Sequence, residues 1–145
     1  MSMKTILVPM ENHDAMQSAL DTALLLGRRC DSYIEGFALR WSINEFIVGD
    51  VMAGAPLETY REDIAEEAKK AKQIFETFMQ KHDVPRAAET TESLSFGWLD
   101  DAPEGEGFIG SYGRVFDVIV MKRRDARSGP IHDRLIESGL FESGR

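Results

Sequence analysis

Cysteine and histidine are scarce in this sequence: Cys30 stands alone, and the histidines are His13, His82 and His132. A single thiol closes no intrachain disulfide, which fits a reducing cytoplasm, and so few soft ligands argue against a structural zinc site. Positive charge is also short, with 17 Lys and Arg against 25 Asp and Glu and a formal net charge of −8. Nucleic acids and anionic membranes are held mainly through Lys and Arg, so neither is an expected partner. No apolar run reaches the roughly 18–20 residues of a membrane span. No charged leader precedes an apolar stretch at the N-terminus, so a secretory signal is not expected either. What is there is ordinary for a globular chain: 145 residues, 43% hydrophobic and 29% charged. That suffices for one domain, residues 1–145, with its own core.

The pattern along the chain alternates strand and helix. Thr5 to Val8 reads as a strand that stops at Pro9, whose nitrogen has no hydrogen to donate. Asn12 is the expected N-cap of a first helix, with Asp14 in its first turn. Met16, Ala19, Leu20, Ala23 and Leu24 give that helix an apolar face, and it should end near Gly27 with Arg28 and Arg29 at its negative end. Ser32 to Leu39 is a second strand, so the first βαβ unit predicts two parallel strands. Ser42 to Pro56 is apolar for a connection and should pack over the sheet edge or against a partner. Leu57 to about His82 carries the clearest helical stripe, Ile64, Ala68, Ala71, Phe75, Phe78 and Met79, whose aromatics read as core.

Glu92 to Trp98 is a third strand, with Leu94, Phe96 and Trp98 on one face and the other face expected to be open to solvent. Asp100 to Arg114 is the expected crossover helix, with Pro103 near its first turn. It contains Gly105, Gly107, Gly110 and Gly113, each costing about 1 kcal/mol against alanine in a helix interior, so a short, mobile helix is expected. Asp117 to Met121 reads as a fully buried fourth strand. A basic loop follows, Lys122, Arg123, Arg124 and Arg127, and then a helix from Ser128-Gly129-Pro130 to about Glu142 with Ile131, Leu135, Ile136 and Leu140 on its apolar side. The order β-α-β-α-β-α-β-α predicts an α/β fold, a three-layer α/β/α sandwich with a Rossmann- or flavodoxin-like parallel sheet. In such sheets ligands sit beyond the C-terminal ends of the strands.

With K-T-I-L-V-P at residues 4–9, Ala19-Leu20 and Ala23 on the first helix, D-V-I-V-M at 117–121 and R-S-G at 127–129, the chain resembles the universal stress protein family over nearly its whole length. The resemblance implies a strand order of 3-2-1-4-5, in which strands one and four lie side by side around a nucleotide-sized cleft. The chain ends before a fifth strand, so the expected order is 3-2-1-4. The missing strand is expected from a tandem domain of a longer protein or from another chain. The cleft assigns candidate ligand residues: Pro9, Met10, Glu11, Ala38, Met121, Lys122, Arg123, Arg124, Arg127, Ser128 and Gly129.

Two departures bear on what that cleft holds. ATP-binding members of the family carry Asp two residues after the proline of strand one, where this chain has Glu11. They also follow strand four with G-x2-G-x9-G-(S/T), whose glycines let backbone N–H groups approach phosphates. Lys122, Asp125, Leu135 and Ile136 occupy those positions here, and a one-residue shift does not restore the pattern. ATP therefore stays open as a cofactor without the glycine-rich motif. Arg123, Arg124 and Arg127 offer a second way to hold an anion, by side-chain charge. The competing reading makes them solvated arginines paired with nearby acids. The sequence assigns no catalytic residue and no metal ligand. The expectation is a non-enzymatic, cytoplasmic stress-response domain that forms a homodimer, or pairs with a tandem partner, and takes a small anionic ligand. The alternatives are an ATP-binding stress protein with weak hydrolysis and an unrelated α/β enzyme on the same scaffold.

Overall fold

The computed structural model describes residues 3–42, 57–88, 92–105, 107–126 and 130–144. Most of the connection expected at 42–56, and the Arg127, Ser128 and Gly129 candidates, lie outside them. Four parallel strands run in the order β3-β2-β1-β4: β1 Thr5–Met10, β2 Tyr33–Ala38, β3 Ser95–Leu99 and β4 Val118–Ile119. The helices are α1 Met16–Cys30, α2 Leu57–Lys81, α3 Gly107–Tyr112 and α4 Pro130–Glu137. No described helix is long and apolar enough to cross a membrane.

The period-two alternation of β1 sorts its side chains into two cores. Ile6, Val8 and Met10 meet Leu20 of α1 and Phe75 of α2, while Leu7 joins Phe37, Ile109 of α3 and Leu135 of α4. The result is the expected three-layer sandwich. Each fully buried side chain of the Leu20 or Phe75 kind contributes roughly 1.5–3 kcal/mol. The aromatics of the α2 stripe are core, as expected: the Phe75 ring lies 5.9 Å from Phe96 and 5.4 Å from Trp98.

Several boundaries differ from expectation, each for a local reason. β1 continues through Pro9. The carbonyls of Lys4 and Met10 accept from Tyr33 and Leu39 on the β2 side, those of Thr5 and Leu7 from Asp117 and Val120 on the β4 side. Pro9 belongs to the second set, and β4 has already ended at its level, so its missing hydrogen costs no ladder bond. Asn12 does not cap α1, which starts at Met16 with no side-chain cap. Gly27 does not end it; the helix runs on to Cys30, and Asp31 closes it in the left-handed region (φ 51°). A Cβ at Gly27 would stand 2.8 Å from Ile34 Cδ1 and 2.9 Å from Leu94 Cδ1, so this glycine serves helix–sheet approach.

The face of β3 expected to be open is covered: Ser95 is buried, and Gly97 lies under the Tyr33 phenol. The crossover helix begins at Gly107, seven residues later than expected, and is one short piece followed by a 3-10 turn, Gly113–Val115. Its Gly110 lets the helix press against the C-terminal segment, where a Cβ would come 2.5 Å from Glu142 Cβ. β4 is two residues long and half-buried, not fully buried, because no described strand flanks its outer side. The last helix changes into a π-turn at Ser138–Glu142. The wider turn rotates the apolar stripe out of phase: Leu135 is buried, but Leu140 is 56% exposed, while Ser138 and Ser143 face inward.

Candidate functional site

At the C-terminal end of β1 the chain leaves the sheet at Glu11 and turns back through Asn12 and His13 before α1. The His13 N–H donates to the Glu11 carbonyl (3.0 Å), and His13 Nδ1 accepts the Ala15 N–H (2.9 Å). The other ring nitrogen, Nε2, faces Asp125 Oδ2 at 3.6 Å. Asn12, free of any capping role, donates from its side-chain amide to Glu67 Oε2 of α2 (2.9 Å). Beyond β4, Lys122 folds inward, and its Nζ lies 3.3 Å from Glu11 Oε2. That pair is largely dehydrated, with side-chain exposures of 8% for Lys122 and 17% for Glu11.

These residues enclose a cleft of about 410 Å³. Its walls are Met10, Leu39, Ile64 and Ala71, with Trp41 and Tyr60 at the sides and Glu11, Asn12, His13, Asp63, Glu67 and Lys122 as polar groups. Three carboxylates therefore face one lysine, and that lysine is matched by Glu11. Glu67 is held below the usual carboxylate range, first by the Asn12 amide and then by Lys70, whose Nζ is 3.2 Å away.

Of the candidates assigned from sequence, Met10, Glu11 and Lys122 meet in this cleft. Pro9 is one residue further back in β1 and is not on the wall. Ala38 borders a smaller cavity of about 220 Å³ on the far side of α2, with Arg40, Lys72 and Asp100. Met121 points to the other face of the sheet, its methyl filling the space over Gly139. Arg123 and Arg124 are exposed and do not line the cleft; Arg124 Nε instead pairs with Asp133 Oδ1 at 3.2 Å. Side-chain capture of an anion by these arginines thus has no described support in the cleft, and the pairing reading fits Arg124.

Sequence reasoning missed Trp41, Tyr60, Asp63 and Glu67. A signal was present: Tyr60, Asp63, Ile64, Glu67 and Ala71 are spaced i, i+3, i+4, i+7 and i+11 along one helix face. The apolar members belong to the stripe read as core, and Glu67 is spaced for a surface ion pair with Lys70, which it makes, so the face does not by itself announce a cleft.

Among the described residues no Ser, Thr or Cys lines the cleft. His132 sits in the first turn of α4, 5% exposed, with neither ring nitrogen hydrogen-bonded among the described residues, and it is not on the cleft wall. Among the described residues no three His, Cys, Asp or Glu side chains are grouped to hold a metal ion. A second polar cluster lies under the opposite face of the sheet. Glu35 of β2 accepts hydrogen bonds from Tyr33 Oη (2.5 Å) and from Tyr112 Oη of α3. Burial, and then the Glu35 carboxylate, push both phenols well above their ordinary range.

No family model matches the chain, and no curated protein matches it in sequence. Among solved structures, the universal stress protein UspA from Lactobacillus plantarum is similar, with a TM-score of 0.60 over 97% of this chain and 94% of that chain at 17% identity. At that identity the likeness is one of fold. This chain has the α/β fold of a universal stress protein, with four parallel strands in the order 3-2-1-4.

Proposed function

We propose that the chain is a stress-response domain of the universal stress type that acts without catalysis. It works by pairing with a second copy and by holding a small ligand, other than a nucleoside triphosphate, in the Glu11–Lys122 cleft. The observation that carries this reading is the ion pair itself. Lys122 stands where the phosphate loop of an ATP-binding member would begin, and its charge is already matched by Glu11 at 3.3 Å. Asp63 and Glu67 then face whatever enters. A triphosphate would meet like charge, without the glycine-bearing backbone that could hold it.

The ATP-binding alternative draws on the fold and on the cleft's place at the strand ends. Following the melting temperature of the full chain with ATP and magnesium separates the two. A ligand at one hundred times its Kd stabilises by about 2.7 kcal/mol, a shift of roughly 5–11 °C in a domain of this size. We expect no shift at millimolar ATP. A shift of several degrees, or phosphate release above the rate in a Glu11→Gln variant, would overturn the proposal.

A further inference from the structure

We infer that the cleft is a receptor for an organic cation, an ammonium-bearing molecule with a short apolar stem. This deepens the ligand reading proposed above and rests on it. Three features of the cleft converge on that chemistry. Trp41 and Tyr60 line it, and aromatic faces attract ammonium groups through the ring quadrupole. Asp63 and Glu67 lie one helical turn apart on α2 and supply carboxylates that can accept from a charged N–H. Between them, Met10, Leu39 and Ile64 give an apolar floor suited to methylene groups.

The charge balance points the same way. Lys122 is buried against Glu11 and Lys70 pairs with Glu67 at 3.2 Å, so Asp63 leaves the cleft with an excess negative charge. Asn12 and Lys70 keep Glu67 ionised, one on each carboxylate oxygen, and each oxygen retains a second lone pair for another donor. A bare metal ion fits less well. Among the described residues no three ligating side chains converge, and a cavity of about 410 Å³ is sized for a small organic molecule.

The test is calorimetric titration of the full chain with 1,4-diaminobutane, agmatine and choline, with ATP and magnesium as the anionic control. At least one amine should bind and raise the melting temperature. Asp63→Asn and Glu67→Gln should each weaken it about tenfold, the loss of one charge-assisted hydrogen bond, and Trp41→Ala by several-fold. Glu66→Gln, an exposed α2 residue off the cleft wall, should change nothing. If Glu66→Gln weakens binding as much as Asp63→Asn, the amine is only drawn to a chain of net charge −8, and the inference is wrong. Absence of binding by all three amines overturns it too. If ATP is also without effect, the inference fails alone; if ATP binds, the reading it rests on fails with it.

Discussion

The Glu11–Lys122 pair is the residue-scale feature with the most to lose. Two charges taken out of water recover their solvation only from each other, so deleting one strands the other. Glu11→Leu or Lys122→Met alone should each destabilise the protein by about 3 kcal/mol, read from urea denaturation at pH 7. The double variant Glu11→Leu/Lys122→Met should return to within about 1 kcal/mol of the parent, since apolar groups of similar size fill the same space without a desolvation cost. Additive losses in the double variant would show that the pair is not coupled. Both residues were legible as site candidates from their places after strands one and four. Their mutual neutralisation was not, because it depends on Lys122 folding inward after a strand that is only two residues long.

At the scale of elements, Tyr112 and Tyr33 tie α3 to β2 through Glu35. Nothing in the sequence announced this link. Tyr33 and Glu35 are two apart on one strand, but Tyr112 comes from a helix whose glycines promised weakness. The register explains the fit: Glu35 is opposite Gly97, and only a residue without a side chain leaves room there for the Tyr33 phenol. The link carries a pH dependence of definite sign. Both phenols titrate higher in the folded state than the ordinary tyrosine value of about 10. Folding therefore favours their protonated forms, and the stabilisation is complete below about pH 10 and lost as pH rises above it. Melting temperature should stay level in this respect from pH 7 to 9.5 and fall beyond. Lysines also titrate there, so the quantity to measure is the difference between the parent and Tyr33→Phe/Tyr112→Phe. The variant should be less stable at pH 8 and should lose less on going to pH 11. Parallel pH curves would remove the link from the account.

For the whole molecule, the two-sided sheet was legible because the periods were: near-continuous apolar strands need helices on both faces, and the α1 and α2 stripes supplied one layer. What stayed hidden was the change of phase at the π-turn, which local periodicity cannot foresee. That change matters at the β4 edge, which no described strand covers. Phe141 is 80% and Leu140 56% exposed, and Leu140 borders a groove of about 270 Å³ along Val118 and Ile119. Isolated soluble domains rarely leave an apolar strand edge and a neighbouring apolar patch uncovered. A second copy is the occupant proposed here, because a two-fold pairing lets the same patch cover itself. In such a pair two Phe141 side chains are buried, one from each copy, at roughly 1.5–3 kcal/mol each. Phe141→Asp should then weaken the dimer by about two to four orders of magnitude, while the melting temperature of the separated chain changes little, since the side chain is exposed within one copy. Light scattering coupled to size exclusion, from about 1 to 200 µM, measures this directly. A parent chain that stays monomeric across that range, or a dimer indifferent to Phe141→Asp, would mean the edge is closed in some other way.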